Sequence, residues 1–221
     1  SFSIYSNTIW DLTGLGSSHF RLSPVTKSIG ASAFLGAGLD NVTWASLQVP
    51  DTLTHLGASA FALNMLTGHF APPPHIDVLA NRTFEFSRFS TIDLTSVTDV
   101  GSYCFSNGLS GSDTVGLHVL FGSHTTVRPY AFSGSSLQSL DVPATWDMVP
   151  EGLCQGCWLL RTVNLPETLL SIGPKSFDGC TALTSIMLPN SLVHIGICLL
   201  ATLRILETLF FSLDCLDDFS F

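Results

Sequence analysis

LPETLLSIGPKSFDGCTAL, residues 165–183, contains most of the pattern that decides the fold of this chain. The next copy begins with LPNSLVHIG at residues 188–196, 23 residues further on. Earlier copies keep the same anchor, an apolar residue and glycine followed by small residues and phenylalanine: IGASAF at 29–34, LGASAF at 56–61 and VGSYCF at 100–105. Self-similarity at a nearly fixed period predicts a stack of equivalent structural units.

The phenylalanine position of this repeat recurs along most of the chain. Whatever residue fills it, it falls at positions 34, 61, 84, 105, 132, 154, 177 and 200, in steps of 27, 23, 21, 27, 22, 23 and 23 residues. A period near 23 residues is typical of leucine-rich repeats, whereas repeats built of helical pairs need about 33 residues or more. The two 27-residue steps indicate insertions, which we expect as loops at residues 36–44 and 106–115.

Each copy of the repeat has a physical interpretation. Residues 183–188 alternate inward apolar and outward polar positions as a short strand does, and Pro189 ends that strand because proline cannot continue the hydrogen-bonding ladder. The pair Ile195-Gly196 then turns the chain, and the next segment packs its phenylalanine into the interior. One copy cannot bury its apolar side alone, so the copies must stack, with one strand per coil in a parallel sheet. The sequence therefore predicts a leucine-rich-repeat solenoid of the α/β or mostly-β type, with mostly short parallel β-strands, turns or short helical segments, and about eight coils.

The pattern divides the chain into three parts. The solenoid occupies residues 22–211, and the irregular segment 1–21 is predicted to be an N-terminal cap or a degenerate repeat. A cap is needed because an uncovered coil exposes apolar core and an open strand edge. Residues 206–211 match a full strand by repeat register, and the tail 212–221 combines apolar residues with three aspartates. We expect this tail to cap poorly, which favours self-association through the C-terminal end.

These motifs resemble the BspA-like (treponemal) leucine-rich repeats found in bacterial and protist surface proteins. In that family a strand ends in proline. It is followed by Ser-Leu or Ser-Val, then by Ile-Gly and Ala-Phe, and finally by cysteine and leucine. Residues 189–192 and 177–180 match most closely, and the resemblance covers residues 22–211. It weakens where Asn81-Arg82-Thr83 replaces the glycine turn and where Cys154 and Leu200 stand at the phenylalanine position. The resemblance implies an adhesion or interaction module, displayed on a cell surface or secreted, that binds a protein or extracellular-matrix partner.

The charge balance excludes some classes of partner. The chain of 221 residues carries a formal net charge of −9. Binding of nucleic acid requires a basic face on the protein, and binding of anionic lipid by a polybasic segment requires clustered lysine and arginine. We therefore expect no nucleic acid partner. Charged residues make up 11% of the chain, against about 25% in an ordinary soluble domain.

The sequence gives few signals of location. The most apolar stretch, residues 195–213, is interrupted by Arg204 and Glu207, so we expect no membrane span in this chain. Residues 1–20 lack the basic start and apolar block of a signal peptide, but the chain does not begin with Met, which is typical of a fragment. The glycosylation sequons at Asn41 and Asn81 favour an exported protein if the source is a eukaryote.

Motifs that would carry catalysis are missing from the sequence. It contains no Walker loop, no Gly-x-Ser-x-Gly elbow and no His-Glu-x-x-His helix. We therefore expect no enzymatic activity, no cofactor and no metal site. His55 and His194 precede the anchor at equivalent positions of different coils, which indicates a structural or solvated role. Asp214, Asp217 and Asp218 could coordinate calcium, but an exposed acidic tail explains them more simply.

Six cysteines are too few to define a disulfide scaffold at this length. Cys154 and Cys157 have the spacing of a redox or zinc pair, but no second pair completes a metal site. Cys154 fills the phenylalanine position, and Cys157 aligns with Cys180 one coil later, so we interpret them as small buried side chains. A disulfide between Cys157 and Cys180 would need Cα atoms about 4.4–6.8 Å apart, which the convex side of a coil disfavours.

The outward strand positions form the candidate binding face. Their first member is almost always serine or threonine, beside a mixed column, and the first predicted strand contributes Ser46 and Gln48. The candidate residues are Phe70, Thr91, Asp93, Ser139, Asp141, Thr162, Asn164, Ser185, Met187 and Phe210. One explanation is that exposed strands simply favour threonine. The other is a shallow surface for a protein or glycan, since solenoid faces are common binding surfaces. Nothing on this face resembles a hot-spot cluster of tryptophan, tyrosine and arginine.

Two other functions stay open at this point. An intracellular, cytoplasmic scaffold is favoured by free cysteines and unused sequons. A carbohydrate-active enzyme on a parallel β-helix would need clustered carboxylates. Asp93 and Asp141 are the acidic residues predicted on the sheet, and a separation of two coils exceeds the spacing of about 5–9.5 Å in a glycosidase pair.

Overall fold

Short parallel strands, stacked coil upon coil, build the molecule. The computed structural model describes residues 2–4, 22–108 and 116–197. The strands within these ranges are β1 (Phe2–Ile4), β2 (Thr26–Ile29), β3 (His55–Leu56), β4 (Thr67–Phe70), β5 (Val78–Leu79), β6 (Arg88–Leu94), β7 (Asp99–Val100), β8 (His118–Phe121), β9 (Thr126–Val127), β10 (Ser139–Asp141), β11 (Met148–Val149), β12 (Thr162–Asn164), β13 (Ser171–Ile172) and β14 (His194–Ile195). All their pairings are parallel, and the described part is a β-solenoid of about seven turns with almost no helix.

The strands form two ladders rather than the single predicted sheet. The face ladder consists of the sheets β4-β6-β8 and β10-β12, which come from the strands that the sequence pattern predicts. The anchor ladder consists of the sheets β1-β2-β3, β5-β7-β9 and β11-β13-β14. From β2 onward its strands end in the apolar residue of the anchor, and glycine follows that residue in five of them, as Gly173 follows Ile172. The interpretation of this pair as a turn was therefore wrong, because its apolar residue already belongs to a strand.

A column of phenylalanine rings forms the centre of the core, as predicted. Neighbouring rings from Phe34 through Phe61, Phe84 and Phe105 to Phe132 lie 5.2, 5.8, 5.6 and 5.6 Å apart between centroids and are nearly parallel. The predicted core residues Phe34, Phe61, Phe105, Phe132 and Phe177 are all buried, which confirms the repeat assignment. Offset stacked aromatic pairs add about 0.5–1.5 kcal/mol beyond the area that they bury.

The backbone around each phenylalanine alternates its hydrogen bonds between two coils. We call the five residues centred on the phenylalanine position the phenylalanine turn; its first and last residues have positive φ in all seven described coils. In the second coil the N–H groups of Ser59, Phe61 and Leu63 donate to carbonyl oxygens of the next coil at 2.9, 2.9 and 3.0 Å. The N–H groups of Ala60 and Ala62 donate to carbonyl oxygens three residues back, both at 3.2 Å. Buried backbone donors are thereby satisfied without a regular helix or strand.

In coils where the anchor carries glycine, the neighbouring coil approaches too closely for a side chain. A Cβ on Gly57 would lie 2.3 Å from the backbone nitrogen of Ala31, and a Cβ on Gly173 would lie 2.6 Å from that of Glu151. No side chain fits into such a gap without a shift of the backbone.

Two predicted strands have a different structure. The segment that contains Ser46 and Gln48 is a 3-10 helix, Trp44–Leu47, capped by the side chain of Thr43. The helix places the Trp44 indole in the interior, where its Nε1 donates to the Ala71 carbonyl oxygen at 2.9 Å. Residues 185–188 alternate between more exposed and more buried side chains, but the structure assigns no strand to residues 183–188.

Several predictions lie wholly or partly outside the described residues. Of the predicted cap at 1–21, only β1 is described, and it pairs in parallel with β2. The eighth anchor at position 200, the strand 206–211, Phe210 and the tail 212–221 with its aspartates are not described. Across the described ranges, no helix is both long and apolar enough to cross a membrane.

Candidate interaction surface

The outward side of the face ladder is most regular at β10 and β12. Ser139 lies opposite Thr162, and Asp141 lies opposite Asn164. The Asn164 Nδ2 atom donates to Asp141 Oδ1 at 2.6 Å. Asp141, Thr162 and Asn164 are exposed, and Ser139 is partly exposed. The structure therefore brings these four predicted residues together as a flat polar surface.

Asp93 has a local structural role beside its place on the face. Its carboxylate accepts hydrogen bonds from the Thr95 hydroxyl at 2.6 Å and from the Thr95 N–H at 2.9 Å, which closes the turn after β6. The hydroxyl bond, then the backbone bond and the nearby His69 lower the pKa of Asp93 below its ordinary value. Asp93 is therefore ionised at neutral pH, and β8 separates it from Asp141 on β10. A glycosidase would need one carboxyl of such a pair to stay protonated as the general acid.

β8 supplies outward residues that sequence reasoning left out, because its register was ambiguous. His118 lies opposite Thr91, and Leu120 lies opposite Asp93. Leu120 is 51% exposed, so the face has an apolar point beside its polar residues. The pairing of β8 with β6 resolves this register, and the local sequence alone gives no signal for it.

Phe70 is buried, and its predicted place on the outward face was wrong. The register of β4 and β6 shifts between Gly68 and His69, so that Ser90 has no counterpart on β4 and Phe70 lies opposite the buried Ile92. Counting nine residues from the phenylalanine position matches Phe70 with Asp93, and an offset of one residue places a side chain on the other face. The Phe70 ring packs in the core, 4.7 Å from Phe84 between centroids, and His69 takes the exposed position beside Thr91.

The end of the described face is formed by Ser185 and Met187. Both are exposed as predicted, and Met187 is 87% exposed. Phe210, the next candidate in this column, lies outside the described residues.

A shallow groove of about 320 Å³ lies along β9 and β11 and the loops that precede them. His124, Trp146, Asp147 and Met148 contribute to its lining. The Trp146 Nε1 atom donates to the Thr125 carbonyl oxygen at 2.8 Å, so the indole is held as part of the wall. Among the described residues no group of three or more histidine, cysteine or acidic side chains is arranged to hold a metal ion.

The cysteines behave as small core residues. Cys104, Cys154, Cys157 and Cys180 are free and buried. The Cys157 thiol donates to the Phe132 carbonyl oxygen at 3.1 Å, and the Cys180 thiol donates to that of Cys154 at 3.2 Å. Burial raises the pKa of the Cys104 and Cys180 thiols well above its ordinary value, which keeps both unreactive. The interpretation of Cys154 and Cys157 as buried side chains is confirmed.

His55 and His194 lie on the anchor ladder, where they face solvent. His55 pairs with Ser28, and His194 pairs with Ser171. Both histidines are exposed, which agrees with a solvated role.

A cationic and aromatic column on the phenylalanine turns was missed by sequence reasoning. The Arg82 guanidinium carbon lies 4.4 Å from the centre of the Tyr103 ring, which stacks on Tyr130 at 5.0 Å with an angle of 4°. The Tyr130 hydroxyl donates to Glu151 Oε1 at 2.6 Å. Arg82, Tyr103 and Tyr130 all stand two residues before their phenylalanine position. Aligning that single position across the copies would have revealed the column.

Residues 13–115 and 118–221 match the family model of the BspA type leucine rich repeat region, in six copies. The fold is similar to that of a leucine rich cell surface protein from Faecalibacterium prausnitzii, with a TM-score of 0.51 and 19% identity over 83% of this chain and 53% of that protein. A leucine-rich repeat protein from Bacteroides ovatus matches with a TM-score of 0.40 and 20% identity over 88% of this chain and 66% of that protein. The chain thus spans about half the length of the Faecalibacterium protein. Functionally curated proteins give no significant match. By its repeat and its fold, the chain belongs to the BspA-type leucine-rich repeat family.

Proposed function

We propose that this chain is a non-enzymatic interaction module, displayed on a cell surface or secreted, that binds a protein or extracellular-matrix partner through the outward side of the face ladder. The observation that carries this proposal is the exposed polar surface of Asp141, Thr162 and Asn164, which β10 and β12 hold in register. A stacked sheet presents such side chains with little loss of conformational freedom on binding, because the backbone is already ordered. Glycans are included among the ligands, since hydroxyl, amide and carboxylate groups converge there.

Family membership and the description of a protein with a similar fold support this proposal. The chain belongs to a repeat family, and a protein of the same fold carries the description leucine rich cell surface protein. Solenoids commonly bind along their extended faces because successive repeats present equivalent positions side by side.

Purified protein applied to immobilised extracellular-matrix proteins and to a glycan array tests the proposal. For any ligand retained, the triple variant Asp141→Ala, Thr162→Ala, Asn164→Ala is expected to weaken binding at least about tenfold, which corresponds to the loss of about 1.4 kcal/mol. The matched control carries Thr126→Ala and Ser171→Ala on the anchor ladder and is expected to bind like the unmodified protein. A ligand that binds the triple variant at full strength would place the site elsewhere, and failure of every ligand to bind would count against an extracellular partner of these classes.

An intracellular scaffold is a second candidate. It is supported by the four free thiols in the described core, because exported proteins commonly oxidise paired cysteines. Recovery of the full open reading frame separates the two candidates: an export signal upstream or a membrane anchor downstream supports the first, and a cytosolic domain fused in frame supports the second.

A further inference from the structure

Two large apolar residues occupy a backbone position that elsewhere suits glycine. The last residue of the phenylalanine turn has positive φ in every described coil, and it is glycine in four of them and asparagine in one. In the second and third coils it is Leu63, with φ of 62°, and Phe86, with φ of 69°. Bulky residues rarely adopt this conformation, because their Cβ crowds the following carbonyl oxygen. The fold retains two strained side chains where glycine or asparagine would serve.

Burial in the core does not compensate for this strain. Leu63 is 51% exposed and Phe86 is 39% exposed. Neither belongs to the hydrophobic core or to the side chains packed against it, and the Phe86 ring contacts no other ring of the described residues. A strained backbone that persists without such compensation is a reason to look for a function.

The two residues form one surface. The Leu63 N–H donates to the Glu85 carbonyl oxygen at 3.0 Å, so Leu63 and Phe86 stand side by side on consecutive coils. In the first coil Gly36 stands at this position, and a Cβ on it would lie 4.0 Å from the Leu63 Cβ, so Leu63 has no large side chain beside it on that side. We call Leu63 and Phe86 the exposed apolar strip.

The more exposed member of the ion pair beside the strip is the cation, although the chain as a whole is acidic. Arg82, in the same turn as Phe86, has a side chain that is 47% exposed, whereas its partner Glu85 is only 12% exposed. Arg82 Nη1 donates to both Glu85 carboxylate oxygens at 2.9 Å. Its Nε and Nη2 atoms donate to no residue within the described part of the chain, and Tyr103 under the guanidinium fixes its position. The guanidinium donors of Arg82 are therefore exposed to solvent next to the apolar strip.

We infer that the exposed apolar strip and Arg82 form a docking surface for a protein segment that presents an apolar side chain next to a carboxylate. The apolar side chain packs on Leu63 and Phe86, and the carboxylate accepts from the free guanidinium donors of Arg82. Charge complementarity selects this partner, because a bound carboxylate meets the exposed cation rather than the shielded Glu85. The inference rests on the proposed role as an interaction module, but it uses the side of the coil formed by the phenylalanine turns instead of the face ladder.

A phage-displayed library of random 12-residue peptides, selected on the purified protein, provides the probe. Selected peptides are expected to combine aromatic or aliphatic residues with aspartate or glutamate. Synthetic copies should lose at least tenfold in affinity for the double variant Leu63→Asn, Phe86→Asn and for Arg82→Gln. Asparagine already fills this position at Asn107, so the double variant should fold with an unchanged or higher Tm. The matched controls Leu170→Asn, a residue 48% exposed just before β13, and Arg128→Gln should keep affinity within about twofold.

The remaining outcomes overturn the inference in distinguishable ways. Peptides that lack acidic residues, or that bind the double variant normally, would show that this surface is not the site. If such peptides lost affinity for the face-ladder triple variant instead, the proposed function would stand and only this inference would fall. Light scattering tests whether a second copy of this chain occupies the strip. A dimer that the double variant Leu63→Asn, Phe86→Asn abolishes would show a self-association interface instead of a site for an acidic segment. Failure to select any peptide would also count against the surface.

Discussion

Phe177 and Phe86 show how position within the repeat decides what the same side chain does. Phe177 stands at the centre of its phenylalanine turn and is 1% exposed, whereas Phe86 stands at the end of its turn and is 39% exposed. In the second and third coils the central side chain of the turn is buried and its last side chain is exposed, so a separation of two residues decides between core and surface. Hydrophobicity alone cannot make this distinction.

Replacing Phe177 by Ala is expected to lower the free energy of unfolding by about 3–5 kcal/mol, the usual range for a buried phenylalanine, because the ring leaves a cavity in the core. Denaturant titration of the purified protein measures this change. Phe86→Ala is the control and should change stability by less than about 1 kcal/mol, as surface substitutions do. Equal effects of the two variants would contradict the assignment of core and surface.

Tyr130 offers a prediction of pH dependence. The hydrogen bond to Glu151 is the main cause that raises the pKa of Tyr130 from 10.0 to about 12, since it holds the phenol in its protonated form. A raised pKa contributes stability that is fully present below about pH 10 and is lost as the pH rises through about 12. Tyrosinate absorbance should therefore contain one transition near pH 12 that is absent in Tyr130→Phe. Glu151→Gln should move this transition towards pH 10, and an unchanged midpoint would disprove the role of Glu151.

At the scale of elements, the sequence predicts the features that recur in successive copies of the repeat. It does not predict elements that are too short to leave a recognisable pattern. The phenylalanine column was predictable because its members recur at a period near 23 residues. The anchor ladder was not predictable, because strands of two residues such as β11 are too short to show an alternation of apolar and polar residues. Phe70 was misplaced because counting from the phenylalanine position matches it with Asp93, whereas the strands pair it with Ile92, and no local pattern records that offset of one residue.

The insertion in the first 27-residue step is held by one buried amide. Asn64 Nδ2 donates to the carbonyl oxygens of Phe34, Phe61 and Ala62, while its Oδ1 accepts from the Leu39 N–H at 3.3 Å. Asn64 therefore fastens the insertion to the phenylalanine turns of two coils. It stands three residues after its phenylalanine position, as Cys157 and Cys180 do in later coils, and the thiols of those cysteines also donate to the preceding coil.

Asn64→Ala is expected to destabilise the protein by about 1–3 kcal/mol, because buried backbone groups lose their partners. Amide hydrogen exchange should rise first around Leu39. The exposed residue Asp40 provides the control, and Asp40→Ala should leave both stability and exchange nearly unchanged. Unchanged exchange at Leu39 in Asn64→Ala would show that the insertion is held by other contacts.

At the scale of the whole molecule, contacts between neighbouring coils are the only means by which one end of the solenoid stabilises the other. Stability in such an array is approximately a sum of repeat and nearest-neighbour terms. The stacked rings run without a gap from Phe34 to Phe132, and Cys154 then replaces the ring before Phe177. A thiol makes fewer dispersion contacts than a ring, so coupling between coils should be weakest there.

The weak coupling at Cys154 predicts how far the effect of a destabilising substitution extends along the solenoid. In Phe177→Ala, hydrogen exchange followed by mass spectrometry should show faster exchange for residues 155–197, with little change on the other side of Cys154. In Phe84→Ala, whose ring lies between Phe61 and Phe105, faster exchange should spread over residues 22–132 through the continuous column. The comparison needs conditions mild enough that each variant stays mostly folded, because global unfolding would erase the boundary. Equal acceleration along all described residues in both variants would show that the coils unfold as a single cooperative unit and that the missing ring at position 154 does not weaken their coupling.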